Sequence, residues 1–485
     1  MSPTITRPRL KTGLVRGLAR ICLPVAAFLV LWGCGAAQEP TFRPALKNEG
    51  ELYLYLQPLP QEAHRLTFTI ADLSAVREDD SHVPLLSSAL RLECRNLLET
   101  QKKLTALKLS PGSYKGLAVT ISQASRRGKK GEADLLVPPA PLMIEKPFKI
   151  RQENTLALFL SLEEDRITRD GYSFTPTFTL ASPRCHMSTL MGFTTNSLSN
   201  VVTVFNKHTM DIVDVVATDR GPQGMALDQE RGRAYLAATG DDIIEMIDVA
   251  TGESLGQVKL RLNDEPVDLA LSADGRILLS ANSGSATASI IDTDSLSERD
   301  RIRFETEPSW VEAEPGGGRA YFFHPLTNTI SALDMSGSEV TVSRPLDEGV
   351  IKGDFDHEED RLYAISTYSP NLLVIDPATL AVREKILIGG GAVSIRVDPQ
   401  TGLVYVGKSS GEIAAVDPWA GMIVESFRVG GAPAFLTIDQ EENALFAALP
   451  EEKKVLKIDL VNKKITDSIA VEEGAHSIVV MGEER

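Results

Sequence analysis

The sequence lacks the spacings on which standard catalytic and metal sites are read. It has no Cys-x-x-Cys-His for covalent haem and no His-Glu-x-x-His for a zinc-hydrolase helix, and its seven histidines are scattered. Basic residues are outnumbered, with 50 Lys and Arg against 66 Asp and Glu, a net charge of −16. Such a surface repels phosphate backbones, which argues against a nucleic-acid partner. Long apolar runs are missing as well. The longest, Ile21–Trp32, has 12 residues and is too short for a comfortable membrane span. Cysteine is confined to Cys22, Cys34, Cys94 and Cys185.

Two short formulas do occur, and neither has the surroundings its chemistry needs. Gly402-Leu-Val-Tyr-Val-Gly-Lys408-Ser409 matches a phosphate-binding loop by letters, but its intervening residues are strand formers with no helix to follow. Gly407-Lys-Ser409-Ser-Gly411 has the spacing of a nucleophile elbow, yet it turns from strand to strand, so Ser409 is not read as catalytic. No motif calls for a cofactor or a metal.

What is present begins with an export signal. Residues 1–33 carry Arg7, Arg9, Lys11, Arg16 and Arg20 with no acid, and then the apolar run, which is the layout of a signal peptide. Removing them takes the net charge from −16 to −21. Leu31-Trp32-Gly33-Cys34 resembles a bacterial lipobox. That resemblance implies diacylation of Cys34 as the mature N-terminus, with Gly35 behind it favouring the outer membrane. The alternative is an ordinary signal peptide cut near Ala36 or Ala37. Acyl chains add about 0.8 kcal/mol per buried methylene, so several hold a protein firmly on a membrane.

After a tether over 34–48, strand signals run from Glu51-Leu-Tyr-Leu-Tyr-Leu56 to Phe174–Leu180, with period-two alternation clear in LTFTIA and LALFLSL. Half-buried antiparallel strands separated by turns predict a β-sandwich over 49–182. Leu107-Lys-Leu-Ser-Pro-Gly-Ser-Tyr-Lys-Gly116 resembles the turn of prealbumin-like modules, in a domain of unknown function common in bacterial lipoproteins; that family supplies no catalytic residue. Cys94 and Cys185 are left in an oxidising compartment once Cys22 departs and Cys34 takes lipid. A bridge between them would close a loop of about 90 residues and stabilise by roughly 4 to 5 kcal/mol in the chain-entropy account; the alternative is two buried free thiols.

From 187 to 481 one pattern runs seven times. Its aromatic position reads Phe193, Tyr235, Leu278, Tyr321, Tyr363, Tyr405, Phe446, and its turn position reads Asn206, Asp248, Asp292, Asp334, Asp376, Asp417, Asp459. Four short strands per unit predict blades, and seven units predict a closed seven-bladed β-propeller, so the fold class is all-β. Residues 474–481 supply an inner strand with no blade to follow, and 187–216 supply three strands with none before them; joined, they complete one blade. The repeated Asp or Asn is expected to accept backbone N–H groups two residues on. Units such as Arg231-Gly-Arg-Ala-Tyr-Leu-Ala and Gly402-Leu-Val-Tyr-Val-Gly-Lys resemble the Tyr-Val-Thr-Asn class of bacterial propeller repeats. That resemblance implies the fold, and its rings serve as surface proteins, binding scaffolds, lactonases and lyases.

The inner strands aim Gly224, Asp268, Trp310, Lys352, Ser394, Phe435 and Ser477 at the axis, with Glu312, Asp354 and Arg396 two residues further on. Asp268, Trp310, Lys352, Phe435 and His476 are therefore the candidate ligand pocket; the competing reading is a watery channel plugged by mutual salt bridges. The sequence as a whole reads as a lipid-anchored envelope protein, its sandwich below the propeller, working as a non-catalytic scaffold for an envelope protein or glycan. The alternative is a propeller enzyme of lactonase or lyase type with its site in the axial pocket.

Overall fold

The computed structural model describes residues 43–129, 131–164, 167–183, 188–316 and 318–482. Within them the chain is all-β, with short 3₁₀ turns as its only helical pieces.

Two large sheets and one two-stranded ribbon, Thr168–Arg169 with Ser173–Phe174, form from residues 50–181. The first is four-stranded in the order Phe178–Ala181, Thr155–Leu162, Gly50–Leu56, Lys102–Leu109. The second is six-stranded, built around Leu66–Arg77 and Gly112–Gly128. One apolar core lies between them, taking Leu52, Leu54 and Leu56 from the first and Phe68, Ile70 and Val119 from the second. At the turn before Gly112–Gly128 the Tyr114 hydroxyl donates to the Ser110 carbonyl at 2.9 Å, and Gly112 takes a φ of 149° that a side chain would resist.

The first sheet departs from the antiparallel, half-buried reading. Gly50–Leu56 runs parallel to Thr155–Leu162, and all seven residues of Gly50–Leu56 are buried. The cause lies in its Leu-Tyr alternation. The leucines face the core just described, while Tyr53 and Tyr55, with Ala157 and Phe159, pack on Val201, Ile212 and Val215.

Those last residues belong to the first of seven four-stranded antiparallel sheets formed by the described residues that follow. The inner strands are Pro222–Asp228, Pro266–Leu271, Trp310–Ala313, Lys352–Asp356, Ala392–Val397, Phe435–Asp439 and Ala475–Val480. Each lies against the next, and Ala475–Val480 touches both Phe435–Asp439 and Pro222–Asp228, which completes the circuit. Ala475–Val480 also pairs with Met191–Asn196, so the first sheet takes its inner strand from the C-terminal end. Every residue at the repeated aromatic position lies on the second strand of its sheet and is at most 1% exposed. Each packs between sheets, where interdigitated side chains make the apolar contact.

The repeated Asp or Asn does its expected work at all seven turns. Asn206, Asp248, Asp292, Asp334, Asp376, Asp417 and Asp459 each accept a backbone N–H two or three residues on, as Asp376 does from Ala378 and Thr379 at 3.1 and 2.8 Å. In Asp376 these bonds and the Arg383 guanidinium, which is the largest cause, hold the carboxyl down at about 2.

The N-terminal sheets sit beside the circuit, against the outer strand Ile212–Ala217, and not below one of its faces. Gln101 donates to the Ile212 carbonyl at 3.0 Å and accepts from its N–H at 3.1 Å. The Thr155 hydroxyl oxygen accepts from the Ala217 N–H at 3.0 Å. Side chains thus satisfy an edge that would otherwise offer unpaired backbone groups to another chain.

The closing sheet carries one buried ion pair. Lys207 and Asp439 are both 0% exposed and stand 2.7 Å apart, and the same ammonium donates to the Met481 carbonyl at 2.6 Å. Removing one partner strands a buried charge, at a cost of about 3 to 5 kcal/mol, whereas replacing both by apolar residues is far cheaper. Urea unfolding of Lys207→Met should therefore show a loss in that range, and Lys207→Met with Asp439→Leu should recover most of it. Equal losses in the single and double variants would contradict the clamp.

Candidate functional site

Adjacent inner strands share no backbone ladder, so side chains must hold them together near the axis. Asp268, 6% exposed, accepts from the Val311 N–H of the next inner strand at 3.0 Å. Asp354, 5% exposed, does the same for Val397 at 2.6 Å. Both bonds span 43 residues, one repeat. Charge-assisted bonds of this kind are among the stronger ones in a protein. Between these strands space is tight: a Cβ on Gly224 would lie 2.5 Å from the Asp268 Cα, so only glycine fits there.

Around Asp268 the structure brings the other candidates together. The Lys352 ammonium lies 4.8 Å from the Trp310 ring centroid and 6.0 Å from that of Phe435, a cation held over two aromatic faces. It donates to the Ala434 carbonyl at 2.9 Å. Trp310 donates through Nε1 to the Gly353 carbonyl at 3.0 Å, and its ring stands 5.8 Å from Phe435. Burial pushes the Lys352 ammonium down to about 8, partly offset by the Asp268 charge. His476 is held neutral by burial first and the Lys352 charge second, with its pKa lowered to about 4. Its Nδ1 is buried without a hydrogen-bond partner.

Two cavities open along the axis. One, of about 230 Å³, is walled in part by Asp268, Trp310, Glu312, Arg396 and Phe435. A larger one, of about 540 Å³, has Glu312, Asp354, Asp356, Glu358 and Arg396 in its wall. Glu312, Pro315 and Arg396 are common to both. Asp268, Trp310 and Phe435 thus line a cavity, while Lys352 and His476 belong to neither wall. Carboxylates outnumber guanidiniums in both, and Arg396 lies 3.7 Å from Asp354.

The candidate set did not include a second series of aspartates, Asp228, Asp356, Asp398 and Asp439, at or just beyond the ends of inner strands and 4% exposed or less. Each receives a backbone N–H two or three residues on. Their recurrence in the repeat is the signal that would have found them.

Cys94 is a free thiol buried in the core between the N-terminal sheets, and burial pushes it up to about 12. Its expected partner Cys185, and the lipidation candidate Cys34, lie outside the described residues. Lys408 of the phosphate-loop match sits on a strand, paired with Glu412 at 2.7 Å. Among the described residues no helix is long and apolar enough to cross a membrane, and no three His, Cys, Asp or Glu side chains gather as a metal site.

No protein-family model matches the chain, and no curated protein matches it. Among solved structures it is similar to a chain of Kuenenia stuttgartiensis hydrazine synthase, at 15% identity over 56% of this chain and 92% of that one, with a TM-score of 0.49. A likeness that slight carries nothing about chemistry.

The Lys352 shift has a measurable sign. Between pH 8 and pH 10.5 the unfolded chain holds a proton on this lysine that the folded chain releases, so folding gains stability as pH rises through that window. Urea midpoints should rise across it in the wild type relative to Lys352→Met. Parallel midpoint curves for the two proteins would show that Lys352 is not desolvated at the axis.

Proposed function

We propose that this chain is a lipid-anchored protein of the cell envelope, held by Cys34, with the outer membrane favoured by Gly35. In this reading a prealbumin-like β-sandwich and a seven-bladed β-propeller of Tyr-Val-Thr-Asn type form one non-catalytic binding scaffold. An envelope protein or glycan engages it at the axial mouth around Glu312 and Arg396. The seven four-stranded sheets and the circuit of inner strands support the propeller, and the shared core of the two N-terminal sheets supports the sandwich.

The observation that carries the scaffold over the lactonase or lyase alternative is the use made of Asp268 and Asp354. An axial general base must reach a substrate proton, whereas one oxygen of each carboxylate already holds the N–H of a neighbouring strand. Using either as a base would loosen the axis it holds.

Three measurements test the proposal. Intact mass of protein extracted from its membrane should show a chain that starts at Cys34 and carries acyl groups; an unmodified chain beginning near Ala36 contradicts the anchor. Mature protein immobilised on beads should retain an envelope component, and Glu312→Gln with Arg396→Gln should lose it. Turnover of a lactone or polysaccharide that disappears in Asp268→Asn would favour the enzyme instead.

A further inference from the structure

Four sheets place an aspartate at the same point of the inner hairpin, and in three of them a donor or a cation stands at the second carboxylate oxygen: two by hydrogen bond, and Asp439 by an ion pair alone. Asp228 Oδ2 takes the Arg231 guanidinium at 2.9 Å. Asp398 Oδ2 takes the Thr401 hydroxyl at 2.6 Å. Asp439 Oδ2 faces the Lys207 ammonium at 2.7 Å. Asp356 is the exception. It is 4% exposed, and its Oδ1 accepts from the Glu359 N–H at 3.2 Å, but its Oδ2 has no partner.

The repeat shows why. Three residues after the aspartate stand Arg231 and Thr401, which can donate, whereas Asp356 is followed there by Glu359, which as a carboxylate cannot. Asp439 is likewise followed by an acid, Glu442, but receives Lys207 from the turn of the next sheet in the circuit. The residue at that turn position beside Asp356 is Pro418, which has neither an N–H nor a charge. Neither position supplies a donor, and the Arg361 guanidinium on the paired strand acts on this carboxyl only through space, with no hydrogen bond to Oδ2. A buried carboxylate oxygen left this way costs free energy that a ligand cation can recover.

Asp356 also stands in the wall of the 540 Å³ cavity, with Glu312, Asp354 and Glu358 as further acids and Arg396 and His357 as its basic groups. We infer that this cavity binds a primary ammonium group, which takes at Asp356 the position that Lys207 holds at Asp439. The ammonium enters on an aliphatic stem, either a free alkyl diamine or a lysine side chain of a bound protein. The inference rests on the axial mouth being the binding site and names the chemistry that site accepts.

The test is calorimetric titration of the full mature protein with cadaverine and, separately, with Nα-acetyl-lysine methylamide. Saturable binding of at least one is expected, weakening with salt. Tighter binding of the lysine derivative points to a protein source, and tighter binding of cadaverine to a free diamine. Asp356→Asn keeps the acceptor for the Glu359 N–H and should weaken binding about tenfold or more, as loss of a charged hydrogen bond does. Glu358→Gln, at an exposed position, should weaken it about twofold. Glu359→Arg copies Arg231, supplies the missing cation from within, and should abolish binding while leaving the fold intact by circular dichroism. No saturable heat with either amine, heat unchanged in Asp356→Asn and Glu359→Arg, or preferential binding of glutarate overturns the inference. Capture of an envelope component on beads is scored separately, so a scaffold that captures its partner but binds no amine keeps the proposed function and loses this one.

Discussion

The structure depends on the pairing of its two ends. Met191–Asn196 has no inner neighbour of its own until Ala475–Val480 returns from a point nearly 300 residues away and pairs with it. Without that strand the first sheet has three strands and an open inner edge, and the circuit of inner strands has a gap. Open edges recruit other chains, and sheets of this size gain their stability from neighbours on both sides. Lys207 adds specificity to the closure. Its buried ammonium reaches both Asp439 on the neighbouring sheet and the Met481 carbonyl at the end of the returning strand. Desolvating that ammonium is costly unless both partners are in place, so the ion pair disfavours a slipped or incomplete closure more than it adds net stability.

The N-terminal sheets share in this constraint because they dock on the same first sheet. Tyr53, Tyr55 and Phe159 bury an apolar face against Val201, Ile212 and Val215, while Gln101 and Thr155 occupy the backbone of the outer strand. The first sheet is therefore covered on its inner edge by the C-terminal strand and on its outer edge by the N-terminal sheets. At the axis the same economy of parts recurs. Asp268 and Asp354 stitch neighbouring strands, Lys352 fills the space between Trp310 and Phe435, and the open volume lies beside them, with more acids than bases in its wall.

The parts of this arrangement set by local chemistry were legible in the sequence. Strand alternation, Asx turns and the spacing of the aromatic position depend on a few adjacent residues, and so the all-β class and the seven capped turns could be read directly. Residues far apart in sequence were harder. Nothing in Gly50–Leu56 announces that Val201 and Ile212 will cover Tyr53 and Tyr55. The parallel pairing with Thr155–Leu162 was hidden for the same reason. Counting along the repeat singled out Asp268, Trp310, Lys352 and Phe435, whose side chains the structure gathers into one cluster. It gave no hint of Asp356, whose distinction is a missing partner. That absence is produced by Glu359 and Pro418 jointly, and it shows only when the equivalent carboxylates are compared in three dimensions.

The central claim is that the fold is held by its returning C-terminal strand. The most direct measurement is hydrogen exchange on a chain ending at Gly474, with and without a synthetic peptide of residues 475–482. The account expects rapid exchange throughout Met191–Ala217 in the shortened chain and recovered protection when the peptide is added. Wild-type protection of Met191–Ala217 in the shortened chain alone would contradict it.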